Sequence, residues 1–176
     1  MKHAHERRGR LSFRWPDPPL RVVLVEPEIP PNTGNIARLC AATGSRLHLV
    51  EPLGFQITDA KLRRAGLDYW DAVDLHRHAD FEAFLRAAQP ARLFLFSTGA
   101  ERSYLDARYR PGDALVFGCE TRGLPDALLA RCAESVYGIP VRADRVRSLN
   151  LSSAAAIVVY EALRQLQGGA PEAPAP

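Results

Sequence analysis

The fold is decided by the stretch Phe117-Gly118-Cys119-Glu120-Thr121-Arg122-Gly123-Leu124-Pro125, followed about 25 residues later by Ser148-Leu149-Asn150-Leu151-Ser152. Each stretch is a polar turn after a short β-branched strand, and the second opens an almost wholly apolar helix. In open α/β sheets, such turns lie where backbone groups meet a ligand. Neither stretch matches a common nucleotide-binding fingerprint, so the ligand has to be inferred from the rest of the chain.

Short apolar strands alternate with helical patterns along the chain. Strands are predicted at Arg21–Val25, Arg46–Val50, 92–97, 114–118 and 135–139, and helices at 33–43, 80–88, 126–132 and 151–165. This alternation predicts an α/β fold with a largely parallel sheet and helices on both faces. The pattern contains no internal repeat and no sign of a second domain.

Composition predicts one domain with flexible ends. The chain has 176 residues, of which 47% are hydrophobic, and six of its fourteen prolines lie in 1–19 and 168–176. We therefore expect a flexible, basic, proline-rich extension over 1–19, a folded domain over 20–167 and a flexible tail over 168–176. The basic residues of the extension precede no apolar run, which argues against a signal peptide.

The cysteines and the charge indicate a compartment and a class of partner. Three cysteines without metal-like spacing favour a reducing cytoplasm and argue against disulfides or a zinc site. No segment approaches the length of a transmembrane helix. The net charge of +3 and the pI of about 9.0 permit nucleic-acid binding without requiring it. Two basic clusters favour a phosphate track, although each alone reads as solvated surface: Lys61, Arg63, Arg64 and Arg142, Arg145, Arg147.

The first predicted helix, over 33–43, carries a candidate polar face. Two prolines exclude an earlier start, Asn32 or Thr33 can cap the helix, and Gly44 ends it. Asn35 and Arg38 lie three residues apart and can point at one ligand, because residues at that spacing are neighbours on a helix surface. A cap followed by a solvent-facing arginine is the alternative interpretation. A functional role is favoured because several polar residues follow the carboxyl end of a strand, where α/β sites form: Glu26, Glu28, Asn32, Asn35 and Arg38.

Several familiar chemistries have no motif in this chain. A Gly-x-Gly-x-x-Gly turn after the first strand, a Walker-type Gly-Lys-Ser/Thr and a Gly-x-Ser-x-Gly elbow are all absent from the sequence. His48 lies inside a strand, whereas His76 and His78 flank Arg77 at a predicted surface. None of these histidines has an evident catalytic partner, so we interpret all three as satisfied or solvated side chains.

Three turns remain as candidate ligand loops, at 96–99, 118–123 and 139–150. In each, a strand delivers a glycine or small polar residue whose backbone donors could hold the edge of a flat polar ligand such as adenine. Taken singly, each is better interpreted as an ordinary turn or helix cap. Taken together with residues 26–40, they have the order and spacing of a known set of motifs.

The segments 26–40, 117–125 and 139–152 resemble the three motifs of the SPOUT-class RNA 2′-O-ribose methyltransferases, and the resemblance covers roughly residues 20–166. Within that class, Glu-Pro-Glu-Ile-Pro-Pro-Asn-Thr-Gly-Asn from Glu26 and the run Leu62-Arg63-Arg64-Ala65-Gly66-Leu67-Asp68-Tyr69 look like the small TrmL type. That type modifies the wobble nucleotide, a cytidine or uridine, of certain tRNAs.

The resemblance implies a deep trefoil knot in the C-terminal part, whose three loops bind S-adenosylmethionine and release S-adenosylhomocysteine without a metal. Knots are otherwise nearly absent from proteins, so periodicity could not have suggested one. Carried over by position, the expected cofactor residues are Phe96, Thr98, Gly118, Glu120, Ile139, Ser148, Leu149 and Asn150.

The resemblance also implies a homodimer in which the knot of one subunit meets the first motif of the other. Its expected catalytic residues are Arg38, Asn32 and Glu120, and Arg38 is also expected to clamp an RNA phosphate. Charge alone suggests further RNA contacts for Arg122, Arg142, Arg145 and Arg147. Glu120 has a structural alternative, in which it binds backbone amides across the knot. Two other functions stay open: 2′-O-methylation of another tRNA position or of rRNA, and a non-catalytic RNA-binding role.

Overall fold

A computed structural model of the chain describes residues 12–55 and 70–167. The basic cluster of Lys61, Arg63 and Arg64 and the run from Leu62 to Tyr69 lie outside the described residues. Residues 1–11 and 168–176 also lie outside them, and the limits of the domain stay a prediction.

Six parallel strands form a single sheet in the described residues. The strands are β1 (Arg21–Val25), β2 (Arg46–Val50), β3 (Leu75–His78), β4 (Leu93–Phe96), β5 (Ala114–Phe117) and β6 (Val136–Tyr137), in the order β3-β2-β1-β5-β4-β6. The central strands β1 and β5 are short runs of apolar residues and are almost wholly buried. Such runs are typical of parallel strands covered on both faces, and the predicted parallel sheet is confirmed.

The helices α1 (Pro30–Thr43), α2 (Phe81–Ala88), α3 (Asp126–Arg131) and α4 (Leu151–Gln167) cover the sheet, together with 3-10 turns at Trp70–Ala72, Tyr104–Asp106 and Ala133–Ser135. One core cluster joins the sheet to Ile36 of α1 and Val158 of α4. A second cluster joins it to Phe84 of α2 and Leu128 of α3. Because strand residues alternate between these two clusters, the helices lie on both faces of the sheet, as predicted.

The start of α1 differs from the prediction. The helix begins at Pro30, Ile29 is its N-cap, and no side chain caps it. Prolines fit the first turn of a helix because its backbone N–H groups have no partner within the helix. The predicted start at Thr33, with Asn32 or Thr33 as cap, is therefore wrong. Gly44 ends the helix in the left-handed region, at φ 66°, as predicted.

The predicted surface position of His78 is also wrong. Its side chain is only 8% exposed, and its Nε2 lies 2.9 Å from Nδ1 of buried His48. The strand β3 was not predicted, because only one of its four residues is apolar. Pairing with β2 and the ring of Phe84 bury His78. Burial, with the charges of His76 and His78, lowers the pKa of His48 to about 3.

Candidate active site

The three candidate loops follow three neighbouring strands of the sheet. Loop 96–99 follows β4, loop 118–123 follows β5, and loop 139–150 follows β6. Since these strands are parallel and adjacent, the loops leave the same edge of the sheet. The rings of Phe96 and Phe117, at the ends of β4 and β5, stack with their centroids 4.9 Å apart. The structure therefore brings together the three loops that the sequence analysis predicted.

The loop after β5 closes on itself at Gly118. A Cβ atom on Gly118 would lie 2.0 Å from the carbonyl carbon of Gly123, so only glycine fits this position. Two backbone hydrogen bonds join Cys119 and Gly123, with donor–acceptor distances of 3.2 and 3.0 Å. The loop is thus a tight backbone unit that presents Glu120 and Thr121 at its tip.

The carboxylates of Glu28 and Glu120 each accept hydrogen bonds from the other's segment, and they attach this loop to the segment that precedes α1. We call the residues of this set, Glu28, Ile29, Glu120 and Thr121, the carboxylate clasp. Glu120 accepts hydrogen bonds from the backbone N–H groups of Glu28 (2.8 Å) and Ile29 (3.3 Å). Glu28 in turn accepts from the hydroxyl (2.7 and 2.9 Å) and the backbone N–H (3.2 Å) of Thr121. Hydrogen bonds to ionised carboxylates are stronger than neutral ones, so the clasp holds the first and second motifs together.

Asn32 extends this network to the third motif. Its Nδ2 donates to Glu120 Oε1 at 2.9 Å, and its Oδ1 accepts from Nδ2 of Asn150, also at 2.9 Å. Asn150 Oδ1 accepts from the backbone N–H and the hydroxyl of Ser152 at the start of α4. Asn32, Glu120 and Asn150 are therefore joined within one chain. Glu120 does accept from backbone amides, but these belong to Glu28 and Ile29 in the segment before α1 and not to another of the three candidate loops.

The other expected cofactor residues line the same edge. Thr98 and Ser148 are exposed, whereas Ile139 and Leu149 are half-buried. Within the described part of the chain, no hydrogen bond uses the backbone N–H or carbonyl of Ile139 or Leu149. Backbone groups of this kind beside apolar side chains suit the edge and faces of an adenine ring, so the residues present fit S-adenosylmethionine. Across the described residues, no cluster of His, Cys, Asp or Glu has a metal-binding arrangement.

A sequence profile of the SpoU rRNA methylase family matches residues 19–160. The chain belongs to the SpoU rRNA methylase family. It is 55% identical over 154 residues to a tRNA (cytidine(34)-2′-O)-methyltransferase from Burkholderia pseudomallei, covering 85% of this chain and 98% of the relative.

Two solved structures are similar to this SpoU-family chain. One, described as structural insights into the 2-OH methylation of C/U34 on tRNA, has a TM-score of 0.78 at 51% identity and covers 85% of this chain and 97% of its own. The other is an S-adenosylmethionine-bound rRNA methyltransferase from Sinorhizobium meliloti, with a TM-score of 0.71 at 30% identity, covering 84% of this chain and 56% of its own.

The predicted RNA-binding cations of the SpoU-family chain lie at the surface. Arg38 is exposed on α1, and Arg122 is exposed and contacts Glu26 at 3.2 Å. Glu26 has a φ of 53°, an uncommon conformation for a residue with a side chain and one that is often found at functional sites. The remaining cations, Arg142, Arg145 and Arg147, are exposed on loop 139–150, where the first two pair with Asp144.

Sequence reasoning missed the clasp of this SpoU-family site. Glu28 stood out only as one of several polar residues after β1, and Thr121 was not assigned any role. The two residues are 93 positions apart, and neither has a spacing that indicates the other. The one sequence feature that could have indicated the clasp is the hydroxyl of Thr121 in a tight loop between two glycines, Gly118 and Gly123.

A groove of about 800 Å³ lies elsewhere, before the amino ends of β4 and β6. It is lined by residues such as Arg92, Arg108, Arg131, Cys132 and Glu134 and by none of the predicted site residues. Because ligands of open α/β sheets bind at the carboxyl ends of the strands, this groove is not the candidate active site.

Proposed function

We propose that this chain transfers a methyl group from S-adenosylmethionine to the ribose 2′-hydroxyl of nucleotide 34, a cytidine or uridine, in tRNA. The observation that carries the proposal is the network in which Asn32 joins Glu120 to Asn150, because it unites all three family motifs at one sheet edge. The names of the similar tRNA methyltransferases support the substrate.

The cofactor loops would hold S-adenosylmethionine at the carboxyl ends of β4, β5 and β6. Backbone groups at Gly118, Ile139 and Leu149 would bind the adenine edge, beside the polar side chains of Thr98, Ser148 and Asn150. Phe96 supports the first loop through its stack with Phe117. When bound, the cofactor supplies an electrophilic methyl group, so the protein's task is to hold the hydroxyl in line and help remove its proton.

Arg38 would act on the RNA side of the reaction. A guanidinium stays protonated at any ordinary pH, which argues against a general base. Arg38 instead would clamp a phosphate beside the target ribose and stabilise the alkoxide that develops at the 2′-oxygen. Asn32 and Glu120 would position the cofactor loops around the target ribose. The outer cations, Arg122, Arg142, Arg145 and Arg147, would contact the RNA backbone.

A homodimer with a shared active site and a trefoil-knotted C-terminal part belongs to the same proposal. Ile157 and Tyr160 on α4 are 37% and 53% exposed, which leaves apolar surface for a second copy of the chain to cover. Asn32 contacts Asn150 of its own chain. We therefore assign to Arg38, rather than to the whole first motif, the contact with the partner's cofactor loops.

Two further parts of the proposal concern the subcellular location of the protein and a second candidate substrate. A cytoplasmic location is inferred from the cysteine usage, and none of the helices in the described ranges is long and apolar enough to cross a membrane. The description of the family names rRNA, so rRNA is the second candidate substrate.

Mapping of ribose methylation in total tRNA and rRNA tests the proposal. Mass spectrometry of RNA from a strain lacking the protein should show the loss of 2′-O-methylation at nucleotide 34 of particular tRNAs, and restoring the gene should restore it. Unchanged methylation at nucleotide 34 with a loss at another position would contradict the assigned substrate. No lost ribose methylation in either RNA class would contradict the proposed activity.

A further inference from the structure

Glu26 and Arg122 form a second link between the first and second motifs, beside the carboxylate clasp. Arg122 Nη2 donates to Glu26 Oε2 at 3.2 Å, and the two residues are 96 positions apart. This distance is longer than the roughly 2.7 to 2.9 Å that is usual between such charged groups. The Arg122 side chain is 72% exposed and that of Glu26 is 31% exposed. Water and other anions can therefore compete for this ion pair.

The backbone at Glu26 is strained and is fixed by its neighbours. Its φ of 53° lies in the left-handed region, which glutamate seldom occupies and which persists only where the surrounding structure enforces it. The N–H of Glu26 donates to the carbonyl oxygen of Val50 at 2.9 Å, and that of Gly54 donates to Pro27 at 3.0 Å. A Cβ atom on Gly54 would lie 2.8 Å from Cα of Glu28, so the next loop packs closely against this segment. The backbone that carries the Glu26 carboxylate is thus held in place.

Three carboxylates lie in this part of the site, and their partners differ. Those of Glu28 and Glu120 accept hydrogen bonds from backbone N–H groups and from neutral side chains. The carboxylate of Glu26 is instead paired with Arg122, a cation to which the proposed function assigns an RNA contact. A phosphate that approaches Arg122 must therefore displace Glu26 or bind beside its negative charge.

We propose that Glu26 limits the affinity of this site for RNA by occupying Arg122 in the free protein, in the place of a backbone phosphate. The inference rests on the proposed function, in which Arg122 contacts the RNA. Carboxylate and phosphate oxygens accept the same guanidinium donors, so the two groups compete. A phosphate that takes over the contact leaves Glu26 unpaired and is repelled by it. Binding is thereby weakened for a polyanion that makes no further contacts, whereas RNA that also reaches Arg38 can offset the cost.

The competition is tested by removing the charge of Glu26 in the full-length protein. The variant E26Q keeps the length of the side chain and the same backbone conformation. Its Kd for a tRNA anticodon stem-loop should be about three- to tenfold lower in about 0.1 M salt, as expected on removing a negative charge about 6 Å from a phosphate. The slope of log binding constant against log salt concentration should increase in magnitude by up to about 0.9, the value for one phosphate contact. The Kd for S-adenosylmethionine should not change.

The variant D74N is the matched control, because it removes one carboxylate from an exposed arginine pair at the opposite edge of the sheet. Asp74 Oδ2 lies 3.0 Å from Nε of Arg46, and the two residues stand at the amino ends of β3 and β2. The Kd of this variant for the stem-loop should stay within about twofold of the original. Exposed charges farther apart than about 10 Å are largely screened in about 0.1 M salt.

The double variant E26Q/R122Q shows whether Glu26 acts through Arg122. Relative to R122Q alone, its gain in affinity should be smaller than the gain from E26Q in the unmodified protein, because no cation is left for Glu26 to occupy. The inference is overturned if E26Q binds the stem-loop no more tightly, if the full gain persists without Arg122, if D74N gains as much, or if E26Q loses cofactor binding. Absence of methyl transfer to RNA by the unmodified protein would instead contradict the proposed function.

Discussion

Among the described residues, Asn32 of the first motif contacts both the second and the third motif through its side chain. Its side-chain amide supplies a donor to Glu120 and an acceptor to Asn150. An aspartate of the same size offers only acceptors when ionised, so it could not make both contacts. Asn32 thereby orients the loop after β5 and the start of α4 relative to α1, the helix that carries Arg38.

Substitution of Arg38 should impair catalysis without weakening cofactor binding. We expect Arg38→Ala to lower kcat by about 10² to 10³, the usual loss on removing one group that stabilises a developing oxyanion. The Kd for S-adenosylmethionine should stay nearly unchanged, because α1 contributes no cofactor loop. Single-turnover methyl transfer and calorimetric titration measure the two quantities.

Arg38→Lys is the matched variant, since it keeps the charge but not the planar fork of donors. Its kcat should lie between those of the unmodified protein and the alanine variant. A collapse of cofactor affinity in Arg38→Ala would show that Arg38 is structural.

Among the elements of the site, the carboxylate clasp links the segment before α1 to the loop after β5. Thr121→Val keeps the shape of the side chain and removes the hydroxyl that donates to Glu28. Because that hydrogen bond is exposed, we expect the free energy of S-adenosylmethionine binding to become less favourable by about 1 kcal/mol. This is equivalent to a Kd that is roughly fivefold weaker. Thr121→Ser restores the donor and should bind the cofactor as the unmodified protein does. Equal affinity in the valine variant would argue that the clasp does not shape the cofactor loops.

The histidine pair between β2 and β3 should make stability depend on pH. Burial is the main cause of the lowered pKa of His48, and nearby His76, His78 and Arg21 lower it further against the opposing effect of Asp74. The folded state keeps His48 neutral down to about pH 3, whereas the unfolded chain binds a proton below about pH 6.5. Stability is therefore full above pH 6.5 and falls as the pH drops below it, by up to about 1.4 kcal/mol per pH unit.

Denaturant unfolding between pH 7.5 and 4.5 measures this dependence. His48→Gln is the comparison, because it removes the titrating group while carboxylates elsewhere still contribute to both proteins. The slope below pH 6.5 should be smaller in the variant. Identical slopes in the two proteins would contradict the assignment to His48.

The strands and helices with strong apolar patterns were predictable from sequence. The bounds of β1 and β2 match the prediction because each is a short, mostly apolar strand between polar turns, although β2 also contains Arg46 and His48. The polar strand β3 was not predictable, since its pairing with β2 and its cover by α2 are tertiary effects. The start of α1 was misjudged because prolines were taken as a barrier rather than as residues of a first turn.

At the scale of the whole molecule, the site was predictable as three loops at one edge but not as a network. The parallel pairing of β4 with β5 and β6 puts the carboxyl ends of these strands at one edge, which brings the loops together. The clasp joins side chains that are 93 positions apart, and no local rule relates them. The resemblance grouped the three segments as motifs of one site, and the contacts show which of their side chains touch within one chain.

The shared active site can be tested by mixing two inactive variants. Arg38→Ala removes the proposed catalytic arginine, and Thr98→Arg places a bulky cation in an exposed cofactor loop. If Arg38 acts across a dimer interface, each mixed dimer has one site without either change, and a 1:1 mixture should recover about one quarter of the normal activity. If Arg38 acts within its own chain, or the protein is a monomer, the mixture stays inactive.

The most direct test of the central claim uses purified protein, S-adenosylmethionine and a tRNA anticodon stem-loop. Digestion and mass spectrometry should find one added methyl group on the ribose of nucleotide 34, and none when that nucleotide is replaced by its 2′-deoxy form. Methylation of the 2′-deoxy substrate, or methyl transfer confined to a base or to another nucleotide, would contradict the account.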